Sequence, residues 1–184
     1  MYQIKFYGLG GQGAVTAAKL LSAATSLYEG NYAITVPAYG HERRGAPVYA
    51  NVIADSIPVK QNCFVYEPDI VLIMDDKIPD KQVNVREGIH DDTILILNTQ
   101  NRQIAEEYRE KYGFHTVWYV DAVHIALDTI EKNIPNIAML GALAKTGFVS
   151  VEALEKAIDD FFGVKAAKKN KETVRRAYQD AESL

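Results

Sequence analysis

Cysteine is almost missing from this chain: Cys63 is the one thiol in 184 residues. A single thiol closes no disulfide within the chain, and it cannot carry an iron–sulfur cluster on cysteine ligands. Cys63 is therefore expected to be a buried or half-buried small side chain. Long apolar runs are missing too. No stretch of about 18 apolar residues occurs, so no membrane span is expected. The start of the chain lacks the basic region, apolar stretch and small-residue cleavage site of an export signal, and a cytoplasmic location is expected. Positive charge is in deficit, with 20 Lys and Arg against 24 Asp and Glu. A surface of that balance is no template for nucleic acid, so any anion site has to be local. The histidines (His41, His90, His115 and His124) show no metal-ligand spacing. There is no internal repeat and no low-complexity segment. The length favours a single domain spanning residues 1–184.

What is present begins at the first strand. The apolar run Ile4-Lys5-Phe6-Tyr7 feeds Gly8-Leu9-Gly10-Gly11-Gln12-Gly13, and an alanine- and leucine-rich segment follows to Tyr28. That order predicts strand, tight turn and helix, the helix starting near Gln12. Gly8, Gly10 and Gly13 form G-x-G-x-x-G. Glycine permits the turn, lets a ligand approach the backbone, and lets the helix pack close to the strand. The first amides of the helix then point outward with partial positive charge, which suits an anion. Gly30 supplies the left-handed stop. Tyr32-Ala33-Ile34-Thr35-Val36 reads as a second strand closed by Pro37, giving the usual opening of a parallel sheet covered by helices.

The next loop, Tyr39-Gly40-His41-Glu42-Arg43-Arg44-Gly45-Ala46-Pro47, is dense in glycine, proline and charge. In an open parallel sheet it leaves the same edge as the glycine turn, where ligands gather. Arg43 and Arg44 then stand beside the turn and suit bidentate contact with phosphate or carboxylate. The alternative is a solvated loop with an Arg–Glu42 surface pair. Further strands are expected at Val48–Ala54, Asp69–Asp75, Thr93–Asn98 and Thr116–Val120, with a polar, turn-rich connection over Asp76–Asp92. Asp75, Asp76 and Asn98 read first as capping and turn residues. Helices are expected at Asn101–Tyr112, from Asp121 onward, from Asn136 to near Gly147, from an N-cap at Ser150 to Gly163, and from Val164 to Ala181. Val151, Leu154, Ile158 and Phe161 form an apolar stripe. Lys165, Lys168, Lys169, Lys171, Arg175 and Arg176 crowd the last helix, as a solvated face or a partner contact. Trp118 reads as core.

Three uses of the glycine turn compete. A dinucleotide-binding dehydrogenase needs an acid about 20 residues past the last glycine, and Val36 and Pro37 stand there instead. A P-loop needs lysine then Ser or Thr after the last glycine, and Ala14-Val15-Thr16 follows Gly13. The third use is a subunit that holds a phosphate-bearing carrier while the chemistry happens elsewhere. No nucleophile–base pair, metal cluster or carboxylate pair gathers in one place, and that favours the third.

Three ordered blocks then carry a family likeness. Gly8 to Ala18, Tyr39 to Val48, and Asn136-Ile137-Ala138-Met139-Leu140-Gly141-Ala142 with Gly163-Val164-Lys165-Ala166-Ala167-Lys168-Lys169-Asn170 closely resemble the gamma subunit of the 2-oxoacid:ferredoxin oxidoreductases. The likeness runs from near residue 4 to about 178. It implies a three-layer, Rossmann-like α/β fold, mostly parallel, with helices on both faces and a helical tail. It implies an enzyme complex that converts a 2-oxoacid and coenzyme A to acyl-CoA and carbon dioxide, reducing ferredoxin or another acceptor. The partners implied are alpha, beta and ferredoxin-like subunits, which hold thiamine diphosphate, magnesium and iron–sulfur clusters. Coenzyme A would lie at or near this chain. Carried over by position, Gly10, Gly11, Gln12, Gly13 and Thr16 would line its phosphate or pantetheine path, Arg43 and Arg44 would supply charge, and Gly40 and Gly45 would allow close approach. The alternative role for the arginines is only to position the loop against the thiamine-bearing subunits. Neither nucleic acid nor membrane is implied. The Arg43-Arg44-Gly45-Ala46-Pro47 form looks like the pyruvate and branched-chain members, with an aromatic oxoacid also open. A non-catalytic nucleotide- or anion-binding Rossmann module is the alternative of a different class.

Overall fold

The first strand, β1 (Tyr2–Leu9), stands third in the sheet, with an antiparallel neighbour on one side and a parallel one on the other. In the computed structural model, which describes residues 1–38 and 44–184, the sheet has seven strands. Its order is β2 (Tyr32–Ala38), β3 (Pro47–Asp55), β1, β4 (Ile70–Ile73), β5 (Ile94–Asn98), β6 (Thr116–Val120) and β7 (Glu182–Ser183). From β1 to β6 the pairs are parallel. β3 is antiparallel to both β1 and β2, and β7 is antiparallel to β6. All four residues of β4 are buried, which is what a strand covered on both faces requires.

Here the structure departs from the expected opening. β1 and β2 run in the same direction but do not pair, because β3 lies between them. Residues Ala50–Ala54 of β3 are buried, whereas no residue of β2 is, so β3 is the inner strand and β2 the edge. Pro37 does not close β2. It sits within it, opposite Ala50, as an edge strand tolerates. The short β7 was not anticipated at all.

Helices α1 (Ala14–Tyr28), α3 (Ala122–Ile130), α4 (Asn136–Leu143), α5 (Val151–Phe161) and α6 (Val164–Asp180) pack on one face, around Ile4, Phe6, Leu20, Leu72 and Ile96. α2 (Arg102–Tyr112) covers the other face with Tyr7, Ile73, Leu97, Tyr108 and Phe114. The layers are three, as expected, but unequal. Local signals hold well. Asn101 caps α2 by accepting from the Gln103 amide at 2.9 Å, and Ser150 caps α5 by accepting from Ala153 at 3.1 Å. Gly30 and Gly147 take left-handed backbone at the ends they were expected to stop.

Three side chains fall elsewhere than expected. Cys63 is exposed, because its whole neighbourhood from 57 to 64 is a surface connection. Phe161, the last residue of the α5 stripe, is exposed where α5 runs past the core. Trp118 is only partly buried against the larger core cluster. Among the described residues, no helix is long and apolar enough to cross a membrane.

Candidate functional site

The glycine turn is held by three neighbours, each from a different part of the chain. Toward β3, the Gly10 amide donates to the Ala46 carbonyl at 2.8 Å, and the Gly45 amide donates to the Gly10 carbonyl at 3.2 Å. The segment carrying Arg44 is thus laced to the turn by backbone bonds, as the shared sheet edge predicted. Gly45 has φ +82°, a conformation open to glycine at little cost.

Toward β4, the link is Gln12. Its Oε1 accepts from the Leu9 amide at 2.8 Å, and its Nε2 donates to Asp75 Oδ2 at 3.1 Å. Asp75 Oδ1 in turn accepts from the Lys77 amide at 3.1 Å. Gln12 therefore braces the turn from within instead of presenting its amide to a guest. Asp75 does the turn-capping work foreseen for it and a bracing job that was not. The other strand-end residues are structural as well: Asn98 donates to the Met74 carbonyl and accepts from Ala122, and Asp76 accepts from Thr99.

Toward α4, the link is Asn136, whose Nδ2 lies 3.4 Å from the Gly13 carbonyl and whose Oδ1 accepts from Ile137 at 2.9 Å. Gly13 caps α1 with φ +80°, and a Cβ there would sit 2.5 Å from Asn136 Nδ2. Two independent constraints thus require glycine at 13. Gly13 offers no side-chain acceptor to the first turn of α1. The leading amides, which have no intrahelical partner, are left for solvent or a ligand.

These pieces border a cavity of about 440 Å³. Gly10, Gly11, Gly13 and Thr16 form its floor together with Ala14 and Val15, and exposed Arg44 stands on its rim. Of the residues singled out from the sequence, the structure brings together Gly10, Gly11, Gly13, Thr16 and Arg44, with Gln12 and Gly45 shaping the turn behind them. Gly40 and Arg43, with Tyr39, His41 and Glu42, lie outside the described residues. A second cavity of about 440 Å³ opens at the opposite sheet edge, but Asp55, Asp69 and Asp92 line it and would repel an anion. The glycine cavity offers amides, a helix N-terminus and a guanidinium. That set suits an anionic group; among the described residues that border the cavity there is no carboxylate, histidine or cysteine.

Sequence reasoning missed Asn136 and the bracing role of Asp75. They lie 123 and 63 residues from their partners, and nothing local marks either pairing.

A family model described as pyruvate ferredoxin/flavodoxin oxidoreductase matches residues 3–180. The chain is 41% identical over 185 residues to the pyruvate/ketoisovalerate oxidoreductases common subunit gamma of Pyrococcus furiosus, covering 99% of this chain and 98% of that protein. The crystal structure of pyruvate oxidoreductase subunit PORC from Thermotoga maritima superposes with a TM-score of 0.83 at 36% identity, over 99% of this chain and 97% of that one. The 2-oxoglutarate:ferredoxin oxidoreductase of Magnetococcus marinus, solved with 2-oxoglutarate, coenzyme A and succinyl-CoA bound, shares the fold. There the TM-score is 0.73 at 18% identity, over 97% of this chain and 30% of that one.

Proposed function

The chain belongs to the pyruvate ferredoxin/flavodoxin oxidoreductase family as a gamma subunit, and on that premise we propose that it grips coenzyme A for a thiamine-dependent oxidation carried out on companion chains. The substrate of the complex is a pyruvate-type 2-oxoacid, with branched-chain oxoacids next in line, in keeping with the Pyrococcus relative's name. The companions are alpha, beta and ferredoxin-like subunits holding thiamine diphosphate, magnesium and iron–sulfur clusters, and electrons leave to ferredoxin or a similar acceptor.

The observation that carries the coenzyme A reading is the lacing of the Arg44 segment to the glycine turn, which gives one cavity both helix-terminal amides and a guanidinium. Coenzyme A is polyanionic at one end and reactive at the other. Gripping its phosphates at Gly10, Gly11, Gly13, Thr16 and Arg44 fixes the remote thiol in place, which is how binding energy far from the reaction speeds it. Thiamine supplies the carbanion chemistry when bound on the partner chains; this chain's residues bind and orient.

The test is calorimetry of coenzyme A with the purified complex. Replacing Arg43 and Arg44 together by alanine is expected to weaken binding about tenfold or more, the scale of lost charge-assisted contacts. Unchanged affinity with failed assembly would instead assign the arginines to docking against the thiamine-bearing subunits. Purification of the tagged chain from its source should bring down companion chains with thiamine and iron–sulfur absorbance. A lone, stable 184-residue protein would support the non-catalytic module.

A further inference from the structure

Among the described residues, no α-helix covers the second face of the sheet where β2, β3 and β1 lie side by side. The connection between β3 and β4 and the segment before β5 fold over it and leave a cavity of about 320 Å³. That volume falls at the small end of ordinary ligand sites. Its walls hold Lys5 and Tyr7 from β1, Tyr49 from β3, Phe64 and Tyr66 from the overlying connection, and Glu87.

Two of these side chains are hard to explain by folding alone. Tyr7 is 1% exposed, and its hydroxyl has no hydrogen-bond partner among the described residues. A buried hydroxyl left unmated costs stability, whereas phenylalanine would fill the same space without that cost. Lys5 is 8% exposed, and its ammonium meets Glu87 Oε2 at 2.9 Å. The pair is lopsided: the Lys5 side chain is 10% exposed and that of Glu87 is 59% exposed. A buried cation is thus answered by a carboxylate that reaches in from solvent and can leave again. Lys5 also lies 5.5 Å from the Tyr7 ring, and Tyr7 packs edge-to-face on Tyr49 with centroids 5.4 Å apart. Burial raises the Tyr7 phenol well above its ordinary range, with Glu87 and Tyr49 adding to the shift, so Tyr7 remains a donor at any physiological pH. Phe64 and Tyr66 are 47% and 65% exposed at the mouth, a poor use of aromatic side chains unless something flat comes to rest on them.

We propose that this cavity binds a small aromatic carboxylate, whose acid group replaces Glu87 on the Lys5 ammonium and takes up the Tyr7 hydroxyl while its ring lies among Tyr49, Phe64 and Tyr66. The site is separate from the glycine cavity and does not rest on the coenzyme A reading. In this arrangement Glu87 is a resident competitor, holding the charge on Lys5 compensated until a ligand arrives.

The test uses the full chain and benzoate, followed by NMR. Saturable shifts are expected at Tyr49, Phe64, Val65 and Tyr66, weaker with benzyl alcohol and absent with acetate. Lys5→Met should weaken binding about tenfold or more, and replacing a buried ion by an apolar side chain of similar length is compatible with folding. Tyr7→Phe should weaken it about threefold to tenfold without lowering the melting temperature. Glu87→Gln, at an exposed position, should tighten it about twofold to fivefold by removing the competitor. No saturable benzoate binding, equal response to acetate, or weakening by Glu87→Gln would each overturn the proposal. Binding to the isolated chain that vanishes in the assembled complex would overturn it too, by giving the cavity to a partner's side chain.

Discussion

Tyr108 and Tyr7 are the side chains whose ionisation this fold alters most. Burial raises both phenols far above the ordinary value near 10, with Tyr112, Asp76 and Asp75 adding to the shift at Tyr108. Tyr108 also donates to the Asp76 carbonyl at 3.0 Å, a bond only the neutral phenol can make. A group whose pKa is raised by folding contributes stability that is whole below its unfolded pKa. That contribution drains away as pH climbs past 10, because the unfolded chain then loses protons the folded one retains. Urea stability should therefore fall above pH 10, and Tyr108→Phe should flatten that slope by up to about 1.4 kcal/mol per pH unit. An unaltered slope would show that Tyr108 ionises freely in the folded protein. At this scale the sequence was read unevenly. Tyr108 shares one helix face with Ile104 and Tyr112 at a spacing of four, and it is buried there. Cys63 and Phe161 were misplaced because residue type describes the average environment of a side chain, not the surface loop or overhanging helix end that it occupies.

Among the elements, α4 shows most clearly what local pattern conveys and what it omits. All eight of its residues are buried, so it is a helix inside the protein, apolar on every side. Gly141 lies where α4 meets α6, and a Cβ there would run into the Val174 carbonyl and lie 3.0 Å from Ala177 Cβ. Alanine gains about 1 kcal/mol over glycine in a helix interior. Overpacking against backbone, which cannot swing aside, costs about 1–3 kcal/mol and sometimes more. The clash should win, so Gly141→Ala is expected to lower stability to urea, with α6 the element displaced. A stabilised variant would mean that the two helices separate at no cost. The basic residues of α6, expected as either a solvated face or a partner contact, are largely engaged within the chain: Lys169 with Glu131, Lys171 with Asp159, Arg175 with Glu155 and Arg176 with Asp128. Exposed pairs of this kind contribute little to stability. They do leave fewer free charges for a companion subunit.

For the molecule as a whole, one sheet carries two apolar clusters back to back, and β1 contributes to both through Ile4 and Phe6 on one side and Tyr7 on the other. Neither cluster can open without stripping the strands that support its opposite. Unfolding in urea should accordingly be a single transition, with far-ultraviolet circular dichroism and the fluorescence of Trp118, the one tryptophan, tracing the same curve. Two separated transitions would divide the chain into domains. Among the described residues five α-helices cover one face and one covers the other, which leaves the β2–β3–β1 surface without a helix on one side while α1 brings its N-terminus to the glycine cavity on the other.

The sequence by itself determined the parts that are settled within a few residues: the glycine turn and its helix, the caps at Asn101 and Ser150, the stops at Gly30 and Gly147, and the apolar strands. Periodicity and backbone preference act at that range, so they can be read without a fold. Only the tertiary structure decided that β3 slides between β1 and β2, that Asp75 and Asn136 lock Gln12 and Gly13, and that Lys5, Tyr7 and Glu87 share one cavity. Those outcomes depend on which distant surfaces bury each other best, and closing a longer loop costs so little more that chain separation gives almost no hint of the pairing.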